Sequence, residues 1–331
     1  ISTGWYTIYN GTGSTATVTG LSPEVSYSVA VLEYNSNVSQ QIRYNAATSE
    51  LNPRTFTSAP LPNVALHFDG VDDHAEVLYD TYLNLGSTFS IEAYVKPGAV
   101  NSGFRAIIDK RDAGTNNSNF SMSVVDGTDF GMFIKNGAQE IFQTVPNVLA
   151  EGRWNLLTAS FDGTTLKMYV DGHLVHTFQS TVTFANLSVP VQIGRSAQNS
   201  EFFNGELDEV RIWTNVLKAD EVAANTGKEL VGDEFGLIAY YNLNDGIPEG
   251  TNTSVLTLNN EATVTATRPI DASIKNFGGT GSTSNFVLSN AFDVSVSEPT
   301  VQASNIVIDN VTTSSASISW TNGDGARRVV A

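Results

Sequence analysis

The chain contains 331 residues without a cysteine, and its 34 acidic and 17 basic side chains leave a formal net charge of −17. This length is enough for two or three domains, while the missing thiols exclude disulfide bonds and the common structural zinc sites. The acidic balance makes nucleic acid and anionic membranes poor partners but suits divalent cations, and no apolar run is long enough to predict a membrane span.

Residues 1–58 contain short β-strand patterns around a distinctive motif at residues 21–27 (LSPEVSY). Leucine, proline and tyrosine at this spacing resemble the tyrosine corner of fibronectin type III domains, in which the phenol oxygen bonds to upstream backbone. The resemblance implies that residues 1–58 are the C-terminal part of such a domain. Residues 58–62 (SAPLP) then predict a stiff linker, because proline cannot donate to a sheet ladder.

The long central segment has the pattern of β-strands. Apolar and polar residues alternate through residues 89–96 and 166–170, and Asp171-Gly172 predicts a two-residue hairpin turn after the second run. Residues 218–225 (KADEVAAN) predict the one short helix. These patterns indicate an all-β protein.

Five stretches of this segment carry a more specific resemblance. They are residues 65–73 (ALHFDGVDD), 89–97 (FSIEAYVKP), 153–163 (RWNLLTASFDG), 166–172 (LKMYVDG) and 205–213 (GELDEVRIW). Their order resembles the laminin-G-like, concanavalin-like jelly roll of bacterial extracellular proteins. The resemblance implies that residues 62–292 form one β-sandwich, with residues 245–292 as a C-terminal extension folded on the same body.

Residues 299–331 form a second short piece, in which Ile306 and Ile308 lead into Ile318 and Trp320. This pattern resembles the first two strands of a fibronectin type III domain, with Trp320 at the core position. The two end pieces together approach the roughly 100 residues of one such sandwich. Two interpretations follow: one period of a tandem array, or a subunit that completes its neighbour head to tail and builds a filament.

The most enzyme-like motif is residues 206–209 (ELDE). Laminarinase-type glycosidases of this fold class place acids at alternate positions of one strand, on both sides of a sugar bond. Here the third acid is missing, since Val210 and Arg211 occupy the positions where it should fall. The sequence also lacks a nucleophile elbow and a phosphate-binding loop, so we expect no enzyme.

Members of this jelly-roll class often hold calcium, an ion that takes six to eight oxygen ligands. The resemblance implies ligands from Asp69, the Gly70 carbonyl, Asp72 and Asp208, with Asp73 as a spare and a structural role for the ion. The alternative is that Asp69-Gly70 only forms a turn and that Asp72 and Asp73 are solvated. Residues 109–117 (DKRDAGTNN) are a second calcium candidate.

Carbohydrate binding requires exposed aromatic rings that stack on sugars. Trp154, Trp213 and Trp320 lie in scaffold motifs and are expected to be packed. The remaining candidate platforms are Trp5, Tyr79 and Tyr82, of which the two tyrosines, in a loop near the predicted calcium site, are the better candidates. The leading functional hypothesis is a structural, adhesive repeat of a large secreted or cell-surface bacterial protein that contacts neighbouring copies of itself. The alternative is a calcium-assisted carbohydrate-binding module attached to a polysaccharide-degrading enzyme, with surface glycans as partners.

Overall fold

A computed structural model describes the chain in segments. The described residues are 7, 10, 12, 14–18, 25–36, 42–44, 52–57, 62–99, 103–184, 187–197, 201–265, 270–292, 304–309 and 317–321. The chain divides into two compact units, Ile1–Asn63 and Val64–Ala331, and each is described by itself. The division falls immediately after the predicted proline linker.

The described residues of the first unit form four short strands. They are β1 (Ser26–Val29), β2 (Tyr34–Ser36), β3 (Ile42–Tyr44) and β4 (Arg54–Thr57). The first and last strands pair with each other, and the middle two form a separate antiparallel pair. The ring of Tyr27 packs against Phe56 with 6.0 Å between centroids. Residues 21–24 of the tyrosine-corner motif lie outside the described residues, so the fibronectin type III resemblance stays a prediction.

The strands of the two large sheets all belong to the second unit. They are β5 (Val64–Asp69), β6 (His74–Val77), β7 (Phe89–Pro97), β8 (Phe104–Arg111), β9 (Ser118–Val125), β10 (Asp129–Asn136), β11 (Gln139–Val145), β12 (Asn155–Phe161), β13 (Thr165–Val170), β14 (His173–Gln179), β15 (Val191–Ile193), β16 (Asn204–Trp213), β17 (Leu237–Tyr241), β18 (Thr257–Leu258), β19 (Ala272–Lys275) and β20 (Asn285–Leu288).

These strands form two antiparallel sheets, as predicted for an all-β sandwich. Sheet I has the order β11-β10-β9-β8-β15-β6-β19-β18. Sheet II has the order β14-β13-β12-β7-β16-β5-β20, and β17 pairs with one half of β16. The extension predicted at residues 245–292 supplies β18 and β19 to one sheet and β20 to the other. It therefore completes the sandwich.

Alternation of apolar residues builds the core between the sheets. Phe89, Ile91, Ala93 and Val95 on β7 all belong to one buried cluster, because successive side chains of a strand point to opposite faces. The predicted hairpin turn joins β13 to β14. Its residues Asp171 and Gly172 have φ angles of 50° and 79°, the left-handed pair that a primed turn requires.

The predicted helix is present as α1 (Ala219–Asn225). Its Val222 packs in a second buried cluster on the outer face of sheet II, together with Trp213, Leu217, Leu230 and Tyr240. This cluster seals that face from solvent. Among the described residues no helix has the length and apolar character needed to cross a membrane.

Two further strands follow, β21 (Ser304–Asp309) and β22 (Ser317–Thr321). They pair as an antiparallel hairpin in which Ile308 faces Ile318. The side chain of Trp320 is outside the described part of the chain, so its predicted place in a core is untested.

Candidate functional site

The acidic turn between β5 and β6 brings three carboxylates together. Asp69, Asp72 and Asp73 each offer an oxygen, and these oxygens lie within 4.8 Å of one another. Both oxygens of the buried Asp73 already accept hydrogen bonds, one from the Asp69 amide at 2.9 Å and one from Ser284 Oγ at 2.8 Å. Burial raises the pKa of Asp73 to about 6. The three carboxylates have the spacing and hard oxygen donors that suit calcium.

Asp208 does not join this group. It lies on β16 four residues beyond Asn204, the register partner of Asp69, and so about 13 Å along the strand. Its carboxylate accepts a hydrogen bond from Ser289 Oγ at 2.6 Å. Gly70 has a φ of +78° within the turn, and a Cβ there would come within 2.8 Å of Asn204. The structure therefore brings together only part of the predicted calcium-ligand set. Asp73 joins Asp69 and Asp72 in the turn, and Asp208 lies elsewhere.

The second calcium candidate, residues 109–117, is split by the fold. Asp112 closes a tight turn by accepting bonds from the Gly114 amide at 2.8 Å and from Thr115 Oγ1 at 3.1 Å. These donors lower the pKa of Asp112. Asp109 lies apart on β8, where it is buried. Among the described residues, the two aspartates belong to no group of acids close enough to share an ion.

The acids of the ELDE motif are held by separate partners. Glu206 forms an ion pair with Lys96 at 2.8 Å, and the buried Glu209 contacts Arg211 and accepts from the Tyr240 hydroxyl at 2.8 Å. Burial raises the pKa of Glu209 to about 7. Each acid has a structural contact, and no two of them face each other across an open cleft of the described chain, as a glycosidase pair would.

Arg211 belongs to a continuous cross-strand row on the outer face of sheet II. This sheet II row runs Tyr169, Thr158, Glu92, Arg211 and Tyr240 across five strands. Glu92 accepts from Thr158 Oγ1 at 3.0 Å and from Asn225 of α1 at 3.0 Å, and it pairs with Arg211 at 3.5 Å. Burial is the main cause that raises the pKa of Glu92.

The two tyrosines of the predicted sugar platform are exposed, and hydrogen bonds hold the loop that carries them. Tyr79 and Tyr82 are 38% and 46% exposed. The loop is anchored by the buried Lys110, whose Nζ donates to the Leu83 carbonyl and to Asn84 Oδ1, both at 2.8 Å. Burial lowers the pKa of Lys110 to about 8. Asn84 in turn donates to the Tyr79 hydroxyl at 3.0 Å.

Sheet I carries a second cross-strand row that the sequence analysis missed. This sheet I row runs, strand by strand, through Phe142, Phe133, Ser121, Asp109, Gln192, Glu76 and Ser273. The neighbours of these residues along the strands, such as Ile134 and Met122, are in the core. The row therefore lies on the opposite, outer face.

The outer face of sheet I is concave at its aromatic end. The ring centroids of Phe104 and Phe142 are 5.3 Å apart, although β8 and β11 are separated by three strand spacings, about 14 Å. The sheet must curl toward this face to bring them together. Gly131 allows the curl, since a Cβ there would meet Ser123 Oγ and Val125 Cγ2 at 2.7 Å. Phe142 itself is 44% exposed.

Buried polar groups adjoin these rings. The Arg111 guanidinium lies 4.6 Å from the Phe133 centroid, and its Nε is 3.4 Å from Asp109 Oδ1, too long for a good hydrogen bond. Asp109 Oδ2 accepts from the Ala197 amide at 2.8 Å, and burial raises the Asp109 pKa. Gln192 Oε1 is buried and makes no hydrogen bond within the described chain. Because Asp109 and Gln192 are 0% and 4% exposed, these polar groups lie beneath the open rings and hold them in place.

Sequence alternation contains part of the signal for this face. The pattern in residues 129–136 separates Phe133 from its core neighbours, yet it cannot say whether Phe133 is covered or open. The partners of the sheet I row are far apart in sequence, so only the register of the folded sheet reveals it.

Comparisons with known proteins agree with the fold. Residues 69–223 match the model of the concanavalin A-like lectin/glucanases superfamily, which confirms the predicted jelly-roll domain. No curated protein matches the chain.

Solved structures give weaker likenesses. A candidate carbohydrate-binding protein from Bacteroides ovatus aligns over 71% of this chain and 65% of its own, just under two thirds of its length, with 18% identity and a TM-score of 0.49. A heptameric SAP-like pentraxin from Limulus polyphemus aligns over 50% of this chain and 82% of its own, with 17% identity and a TM-score of 0.41. The CBM40 module of a Ruminococcus gnavus sialidase, solved with sialyllactose, aligns over 49% and 96%, with 14% identity and a TM-score of 0.41.

Proposed function

We propose that the central domain is a non-catalytic carbohydrate-binding module whose ligand lies on the concave outer face of sheet I. The observation that carries this proposal is the open aromatic end of that face, where the half-exposed Phe142 adjoins Phe104 and Phe133 outside the core. An aromatic ring beside polar groups matches the two surfaces of a sugar, an apolar ring face and a hydroxyl edge.

The polar groups beside these rings support the aromatic end from below, since Asp109 and Gln192 are 0% and 4% exposed. Arg111, which is 8% exposed beside Phe133, can donate to hydroxyl oxygens of a ligand at the edge of the rings. The match of residues 69–223 to a superfamily named for lectins and glucanases supports the same ligand class. The acids of the ELDE motif are bound in structural contacts, which favours recognition over hydrolysis.

A glycan array followed by calorimetric titration tests this function. We expect the whole chain to bind at least one oligosaccharide, and Phe142→Ala to weaken that binding about tenfold or more, because it removes the stacking surface. The matched control is Leu174→Ala on β14, the edge strand of sheet II, which is 53% exposed. Absence of oligosaccharide binding, or an equal loss in both variants, would contradict the proposal.

Calcium at the acidic turn remains part of the proposal. Asp69, Asp72 and Asp73 would hold the ion, which would supply charge neutralisation and cross-link the turn from β5 of sheet II to β6 of sheet I. Tyr79 and Tyr82 remain proposed as a further sugar platform, at the loop that follows β6. An extracellular location of the protein is compatible with the calcium site and with the sugar platform.

The adhesive-repeat hypothesis and head-to-tail assembly remain predictions. They depend on the fibronectin-like ends, of which most residues lie outside the described chain. Sedimentation of the whole chain over a range of concentrations tests the assembly. Concentration-dependent growth beyond a dimer supports a filament, and a monomer at every concentration opposes it.

A further inference from the structure

A cavity of about 140 Å³ lies where the edges of the two sheets part. Its walls include Ile274 of β19, which belongs to sheet I, and Phe286 of β20, the end strand of sheet II. The segment 252–256 forms another wall, with Leu256 67% exposed at the rim. Apart from Leu66, every described lining residue lies beyond residue 223, so the part of the chain outside the family match builds this cavity.

The described lining of the cavity carries no charged side chain, although the chain as a whole is strongly acidic. A charged ligand would lose its hydration in the cavity without gaining an ion pair, so its binding would cost free energy. The lining combines aliphatic and aromatic walls, including Phe277 and Phe286, with three asparagines. It therefore suits a neutral ligand with both apolar and polar surfaces.

Hydrogen bonds within the cavity wall limit the kinds of hydrogen bond that a ligand can form there. Both donors of the Asn252 amide are used, by the Ile247 carbonyl and by Asn285 Oδ1, each at 2.8 Å. Both donors of Asn285 are used by the Gly250 and Gly281 carbonyls. The side-chain oxygens of the two amides each retain one acceptor position. Asn252 and Asn285 therefore have no spare donor, and any hydrogen bond that either amide makes to a ligand must be accepted from a ligand hydroxyl.

The volume sets the size of the ligand. A cavity of roughly 150 Å³ holds one benzene-sized ring, and drug-sized ligands need about 300 Å³ or more. The ring of a single pyranose can enter such a cavity only if its hydroxyl groups lie at the open rim. The exposed rim residues Leu256 and Asn276 leave room for substituents to project outward.

We propose that this cavity is a second binding site, which accepts a single neutral sugar ring at the end of a glycan. The inference rests on the proposed function in assigning a carbohydrate, but it names a separate site and a narrower ligand. Recognition of a chain end here would complement binding of a longer segment on the outer face of sheet I.

Saturation-transfer NMR with free monosaccharides tests the proposal. We expect the whole chain to bind a neutral hexose or deoxyhexose at millimolar concentration and to show no transfer to uronic acids at this site. Leu256→Trp should fill the rim and weaken neutral monosaccharide binding about tenfold or more. The control is Leu288→Trp, which changes a leucine that is 62% exposed on β20 and does not line the cavity.

The outcomes separate the two proposals. Loss of monosaccharide signal in Leu256→Trp but not in Leu288→Trp supports the cavity. If no neutral monosaccharide binds, or if Leu256→Trp binds as the wild type does, the cavity proposal is wrong. Oligosaccharide binding that depends on Phe142 would still stand in that case. Thr253→Trp, at another exposed lining position, replaces Leu256→Trp if that variant fails to fold.

Discussion

The outer faces of the two sheets carry similar cross-strand rows with different environments. The sheet II row centres on Arg211 between Glu92 and Tyr240, and the sheet I row centres on Asp109 between Ser121 and Gln192. Each row lies on the side of its sheet that faces away from the shared core. The strand pattern alone does not distinguish them.

The centres of both rows are buried, since Arg211 and Asp109 are each 0% exposed, and the difference lies at the aromatic end of the sheet I row. Helix α1 and the cluster around Trp213 and Leu230 seal the sheet II row, and Glu92 receives three side-chain partners there. At the end of the sheet I row, Phe142 stays open to solvent. Under the proposed function, the outer face of sheet II serves stability and the open end of the outer face of sheet I serves recognition.

The largest expected effect comes from breaking the sheet II row. Arg211→Met leaves Glu92 and Glu209 buried without their cation, so the free energy of unfolding should fall by about 3–5 kcal/mol. Urea denaturation measures the change. Arg153→Met is the control, because its guanidinium is 45% exposed and its pair with Asp171 should contribute about 0–1 kcal/mol. Equal losses in the two variants would refute the structural role of the row.

A smaller loss is expected from the same change on sheet I. Arg111→Met removes the cation beside Asp109, but Asp109 keeps donors from Ser196 and Ala197. The free energy of unfolding should fall by about 1–3 kcal/mol. Oligosaccharide affinity should fall in the folded variant, which calorimetry measures. Undiminished affinity would place the ligand elsewhere.

The acidic turn joins the two sheets, so calcium there should stabilise the whole sandwich. With calcium at about ten times a dissociation constant typical of extracellular sites, the gain should be about 1.4 kcal/mol. Differential scanning calorimetry with calcium and with chelator measures the change in Tm. Asp72→Asn, at an exposed carboxylate, should abolish the difference. A Tm that is the same in calcium and chelator would rule the site out.

The last prediction is a change with pH and concerns Lys110, which holds the tyrosine loop. The pKa of Lys110 is lowered to about 8 in the folded protein, against about 10.4 for an unfolded chain. Between these values the unfolded chain holds more protons, so the free energy of unfolding should rise with pH in that window relative to Lys110→Met. Urea midpoints across the window measure it. Parallel pH profiles for the two proteins would contradict a buried amine.

The strands and the helix could be predicted from the sequence better than the candidate binding site could. The alternation in β7 and the turn at Asp171-Gly172 could be recognised because the residues that produce them are adjacent in the sequence. Residues 245–292 were predicted only as an extension, since β18–β20 are too short for a clear period. Asp208 was assigned to the acidic turn by resemblance, and only the register of β16 shows their separation.

Phe142 illustrates why the proposed binding face was missed. Its strand neighbours identify it as outward-facing, but its exposure depends on a curl at Gly131 and on contacts with Phe104, which is distant in the chain.

A crystal structure of the whole chain with its tightest-binding oligosaccharide tests the central claim most directly. The account predicts a sugar ring against Phe142, with hydroxyls directed toward the Arg111 and Asp109 side of sheet I. A sugar seated on the outer face of sheet II or at the acidic turn, with Phe142 uncovered, would contradict it.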